Sequence, residues 1–220
     1  MFINSGCLLG IARDALKTAL NLSESDRSHV SNHPIVSIVF AAAAGEAFIN
    51  EIAELCAQPV LDCSSPSAVL SEDLATMLDE VEKSRGSTLL KLLVAMKTLS
   101  GKAFDKGANP YQDFATLMDL RNTIMHIKID RIESVKINEA KVIHPKIISK
   151  LQYHSVLVEF GDESNVCASW FYKVSTAAAA RWACTTTANM VRVIVEATPA
   201  GELRDKLNFF YGQGVWTTNS

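Results

Sequence analysis

The string Arg121-Asn122-Thr123-Ile124-Met125-His126 gathers a guanidinium, an amide and an imidazole on one short stretch of chain. An arginine fork can grip two phosphate oxygens at once, and histidine is the side chain whose proton comes and goes nearest neutral pH. Together they suit proton transfer beside a phosphate whose growing charge needs a cation. Asn122 and His126 are four apart, about 40° off register at 3.6 residues per turn, so the amide can orient the imidazole. Arg121 and His126 are five apart and lie roughly 140° off-face on an ideal helix. For both to meet one substrate the arginine must reach round or the helix must loosen near His126. One helix alone is therefore a poor active site.

The helix that has to carry these residues opens with clear start signals. Asn109 can cap, Pro110 suits the first helical position, and Gln112 sits where a capping-box partner reaches back, so a helix is expected to about Ile127. Its apolar stripe is Phe114, Leu117, Met118, Ile124 and Met125, and Arg121 falls inside it. A second helix, from near Pro34 to about Cys56, carries the opposite anomaly. Glu46 lies between Ala42 and Ile49 on a stripe made by Ile35, Ile38, Val39, Ala42, Ile49 and Ala53. Buried charge is costly unless it is paired, so Glu46 and Arg121 are expected near one another, facing a pocket or an interface. A salt bridge that merely pins two helices would use the same residues for structure alone.

Elsewhere apolar residues recur mostly at helical spacing, and neither a repeat nor a low-complexity linker divides the 220 residues. The expectation is a single, mainly α domain over 1–220. Helices are predicted over about Cys7 to Leu20, Glu72 to Lys83 and Thr88 to Leu99, with CAQPVLDCSSPS as a loop. Residues 128–172 form a less regular insertion, in which HSVLVEF, GDESN and VCASWFYK alternate around a turn as in a small β-hairpin before the last long helix. That closing helix, about Ser175 to Glu196, reads as nearly all apolar and hence central to the bundle. A C-terminal tail is expected over 199–220, and its FFYGQGVWTTNS stretch is aromatic and glycine-rich, as if packed over a cleft or a partner.

A chain that is 48% hydrophobic and 20% charged can fill a sizeable core, which excludes a disordered or fibrous protein. The net charge of -3 lacks the field that drives non-specific nucleic-acid binding, so a nucleic-acid partner must be held locally. Five scattered cysteines without a C-x-x-C pair point to a reducing compartment, with cytoplasm the expected location. No signal peptide is expected, because no basic segment precedes the short apolar run at the start. No membrane span is expected either: Ile35 to Phe48 is short of the roughly 20 apolar residues needed and is broken by Ser37, Gly45 and Glu46. His29, His33 and His144 lack carboxylate or cysteine company and read as loop histidines, so the expected metal sites are none. The chain has no G-x-x-x-x-G-K-[ST], G-x-S-x-G or H-E-x-x-H motif.

The R-N-x-x-x-H string at the end of a helix resembles the R-x(4 to 6)-H motif of the HEPN family, the higher eukaryotes and prokaryotes nucleotide-binding domains. IVFAAAAGEAFINEIAEL is similar to that family's second helix, with its inward acid and later asparagine. The similarity covers about 35–128, and RWACTTTANMVRVIVEATP resembles a closing helix in outline. The resemblance implies an up-and-down helical bundle and a cofactor-free, metal-independent endoribonuclease acting on single-stranded RNA through its 2′-hydroxyl. In that reading Arg121 holds phosphate, His126 transfers protons, Asn122 orients His126, and Glu46 positions Arg121. A single histidine cannot be acid and base in one turnover, so a homodimer pairing two copies of Arg121 and His126 is implied. The product would carry a 2′,3′-cyclic phosphate, and DNA would resist. The implied setting is a toxin or antiviral defence system with an antitoxin or defence partner protein. In toxins paired with a minimal nucleotidyltransferase antitoxin the motif commonly continues histidine, any residue, tyrosine; here that position is Lys128. Other family members bind or scaffold without cutting, so the alternative is a non-catalytic module for a protein or nucleotide, its histidine stabilised by the helix dipole.

Between Arg121 and Lys150 seven basic residues face three acidic ones, a local balance of +4. Lys128, Arg131 and Lys136 are thereby candidates for the RNA backbone. A solvated lysine-bearing loop is the competing reading of the same residues.

Overall fold

The computed structural model describes residues 3–25, 31–58, 66–127, 131–134, 140–157 and 169–217. Helices dominate: α1 Ser5–Ser25, α2 His33–Cys56, α3 Pro66–Lys83, α4 Thr88–Ser100, α5 Tyr111–Met125, α6 Lys146–Gln152, α7 Trp170–Val174, α8 Ala177–Ala197 and α9 Glu202–Tyr211. A short 3-10 turn follows at Gly214–Trp216. Strands β1, Arg131–Ser134, and β2, Ala140–Ile143, pair antiparallel with Arg131 opposite Ile143 and Ser134 opposite Ala140. The chain is thus mainly α.

Backbone packing divides the chain into two compact units. The first combines Met1–Gly10, Ala43–Ala115 and Thr185–Ser220; the second combines Ile11–Ala42 and Thr116–Cys184. In the first unit Ala68, Ser71, Leu74 and Leu78 make the inward stripe of α3, and Lys91, Leu92, Ala95 and Leu99 that of α4. Both ends of α4 are closed by local chemistry. The Ser87 hydroxyl caps α4 by accepting from Leu90 N at 3.2 Å, and Gly101, left-handed at φ 71°, ends it by donating to Lys97 O at 2.9 Å. The ring of Phe48 on α2 meets Tyr211 edge-on at 4.8 Å, and Tyr211 meets Trp216 at 5.5 Å, so part of the aromatic tail is core.

In the second unit Ile38, Ala41 and Ala42 of α2 and Ala179, Ala180 and Ala183 of α8 are completely buried, so both alanine runs serve close packing. The Ser37 hydroxyl and Cys184 thiol lie 3.4 Å apart, tying α2 to α8. The buried Arg13 guanidinium is pushed below its ordinary range by burial, against which the nearby Cys184 thiol acts.

Several expectations change. Pro66 and Ser67, read as loop, open α3, because proline is at ease in a first turn where its missing N–H costs nothing. Residues 158–168, the centre of the expected β-hairpin, lie outside the described residues. Of its flanks, Trp170–Val174 is helix α7, capped by the Ser169 hydroxyl accepting from Phe171 N; the observed strand pair lies earlier, at 131–143. Helix α8 does have a polar face: Arg181, Thr185, Arg192 and Glu196 recur at spacings of four and seven and are all exposed. Helix α9, read as tail, buries Leu203, Leu207 and Tyr211 at spacings of four. By length and composition α2 is apolar enough to cross a membrane, longer than the stretch marked out in the sequence. Its Ala41, Ala42, Ala44, Phe48, Ile49 and Ile52 are completely buried within the protein, as in a core helix.

Candidate functional site

Helix α5 presents two faces in the second unit. Leu117, Leu120 and Ile124 are buried, whereas Asp119, Asn122 and His126 are exposed at spacings of three and four. Arg121 stands at the border, half-buried. Met125, expected in the buried stripe, is 59% exposed, because the stripe follows Leu117, Leu120 and Ile124 instead. The His126 backbone N–H donates to Asn122 O at 3.0 Å, so α-type bonding persists to His126 and no loosening brings the imidazole round toward Arg121.

The amide expected to orient His126 has a nearer use: Asn122 Oδ1 accepts from Arg121 Nη1 at 2.9 Å. One turn earlier, Lys150 Nζ of α6 reaches Asp119 Oδ2 at 2.8 Å. That pair fastens α6 beside the exposed face of α5. Lys128 and Lys136 lie outside the described residues, and Arg131 opens β1.

Glu46 belongs to the first unit and Arg121 to the second. Within its own unit Glu46 is half-buried, and its Oε1 accepts from the Thr88 hydroxyl at 3.3 Å. Thr88 is the first residue of α4, so this carboxylate stands where a helix N-terminus favours negative charge.

Two charges on apolar stripes went unread in the sequence, although the test that singled out Arg121 and Glu46 applies to both. Lys91 falls on the stripe of Leu92, Ala95 and Leu99 and is buried; its ammonium donates to Asn50 Oδ1 at 2.6 Å and to Glu82 Oε2. It edges a cavity of about 570 Å³ walled by Ile49, Ala53, Ala75 and Leu78, with Glu54 and Asp79 also in the lining. Arg13 falls among Leu9, Ala12 and Leu16 in the same way. A further cluster carries no periodicity signal. Glu51 accepts from Asn4 N at 2.6 Å, Ser5 N at 3.0 Å, the Ser5 hydroxyl, and Tyr211 Oη at 2.9 Å. Burial, then the charge and hydrogen bond of Glu51, push the Tyr211 hydroxyl above its ordinary range.

Compared with known proteins, the chain matches no family model, no curated protein and no solved structure.

Proposed function

We propose that the chain is an endoribonuclease of HEPN type that cuts single-stranded RNA as a homodimer, in the cytoplasm, within a toxin or antiviral defence system. One observation carries this reading: Arg121, Asn122 and His126 share the exposed end of α5, with Asn122 braced against the guanidinium rather than the ring. His126 is open to solvent, and Arg121 is half-buried at the edge of the same helix end. In the reaction one His126 takes the proton of a ribose 2′-hydroxyl and the 2′-oxygen bonds to phosphorus. The bond from phosphorus to the 5′-oxygen breaks, and His126 of the second copy protonates that leaving oxygen. Arg121 from each copy steadies the charge that grows on the phosphate oxygens. Metal independence, the dimer and the setting come from the motif's resemblance alone.

A second reading has its own support. Met125 and Ile127, 59% and 55% exposed, flank His126, and exposed apolar side chains around a motif suit docking of a protein. RNA cleavage in EDTA separates the two, with the parent set against His126→Ala and Arg121→Ala and the product ends identified. The nuclease reading expects 2′,3′-cyclic phosphate ends from the parent and loss of cutting in both variants with folding unchanged. A folded parent that leaves RNA intact overturns it in favour of the binding module.

A further inference from the structure

We propose that Tyr153 is a stacking platform for a nucleobase of single-stranded RNA, set beside the Arg121–His126 face of α5. The proposal rests on the nuclease reading for the nature of the ligand, and binding is tested apart from cutting.

Helix α6 is short and firmly seated. Ile147, Ile148 and Leu151 are buried, while Lys146, Lys150 and Tyr153 lie on one outward side at spacings of four and three. Tyr153 keeps right-handed helical geometry at φ -66° and ψ -18°, so it extends the face that carries Lys150. Lys150 is the residue bonded to Asp119, and Asp119, Asn122 and His126 form the exposed side of α5. The chemistry of α6 therefore continues that of the motif: the exposed Lys146 ammonium for phosphate, Lys150 paired with Asp119, then an aromatic ring one turn further on.

The ring itself is 90% exposed, more than any other large apolar side chain among the described residues. The backbone that follows it is held at two points. His154 packs on Trp182 of α8 with ring centroids 5.2 Å apart, and Val156 O accepts from the Thr176 hydroxyl at 2.6 Å. Between them Ser155 adopts φ 53°, a left-handed conformation that persists where its surroundings over-determine it. A fixed turn thus holds a tyrosine out in water, at an entropic cost smaller than a flexible side chain would incur on binding. Every base has a π-face, so an exposed aromatic ring beside cations is suited to unstacked bases irrespective of sequence. The exposed Lys146 on the same side of α6 attracts the phosphates of such a strand, and the ring is left for its bases.

The test is fluorescence anisotropy at low salt with a labelled oligouridine, and with a ribose-phosphate oligomer of equal length that lacks bases. Tyr153→Ala should weaken oligouridine binding by about fivefold or more, leave the abasic oligomer unchanged and keep the salt dependence of the parent. Tyr153→Phe should bind as the parent does. Lys146→Ala should instead flatten the slope of log affinity against log salt by about 0.7. The proposal is overturned if Tyr153→Ala binds oligouridine like the parent, which would leave the tyrosine to a protein-docking role. Equal weakening toward the abasic oligomer also overturns it, as does a parent with no affinity for oligouridine. A parent that holds oligouridine through Tyr153 yet leaves it whole keeps the platform and sinks the nuclease reading. Cutting with a Tyr153→Ala of unaltered affinity does the reverse.

Discussion

Replacing Glu51 with alanine should be among the most damaging single changes outside the apolar core. Its carboxylate takes four hydrogen bonds, from Asn4 N, Ser5 N, Ser5 Oγ and Tyr211 Oη, and so caps the N-terminus of α1 from another helix. The Asn4 N–H is exposed and rehydrates when the carboxylate goes. Ser5 is completely buried and Tyr211 nearly so, which strands three donors at about 1–3 kcal/mol each. Water entering the vacated space recovers part of that, leaving a net loss of about 3–4 kcal/mol. For a chain of this size the loss lowers Tm by about 6–16 °C. Glu51→Gln keeps the shape and one accepting oxygen but loses the charge, and should cost about 1–2 kcal/mol. Urea unfolding followed by far-UV circular dichroism measures all of these, with Tyr211→Phe completing a double-mutant cycle. The reasoning fails if Glu51→Ala costs less than about 1 kcal/mol, or if the cycle shows no coupling between Glu51 and Tyr211.

Three other outcomes follow from named contacts. Burial pushes the Cys56 thiol up to about 12, and burial with Glu51 pushes Tyr211 up from its ordinary range. Both groups keep their protons longer folded than unfolded, so stability should hold below about pH 9 and fall as pH rises beyond it. Urea midpoints that stay flat from about pH 9 to about pH 11 would contradict this. Alkylation of the native protein at neutral pH should modify exposed Cys7 well before buried Cys56 and Cys184; peptide mass mapping that finds all three at one rate refutes the burial. Gly45→Ala gains helix propensity but sets a Cβ 2.5 Å from the ring of buried Phe114, a net destabilisation of about 1 kcal/mol. Gly10→Ala meets nothing within 4 Å and should stabilise by about 0.5–1 kcal/mol. Equal signs for the two glycines in thermal melts would falsify the packing account.

Helix placement was largely legible because it rests on periodicity: α2, α4, α5 and α8 each start within about two residues of their expected positions. Helix α9 was hidden by composition, since its glycine and aromatic neighbours drew attention from Leu203, Leu207 and Tyr211. For the site, spacing predicted that Asn122 and His126 share a face, and both are exposed at the end of α5. It could not rank hydrogen-bond partners, and the adjacent guanidinium holds Asn122 Oδ1. Nor does periodicity register partners brought together from distant parts of the chain, so the Glu51 cluster and the Lys150–Asp119 link had no sequence signal. Lys91 and Arg13, both buried, are legible from periodicity alone, since each falls on the apolar stripe of its helix.

The Glu51 cluster also sets an order for assembly during vectorial synthesis. Ser5 and Glu51 are 46 residues apart and can meet once α2 has emerged, whereas Tyr211 lies 160 residues beyond Glu51. The nascent first helix is thus capped early by a carboxylate whose final hydroxyl donor arrives only with α9. Interactions of such high contact order form late, so the Tyr211 bond that completes the cap of α1 awaits α9.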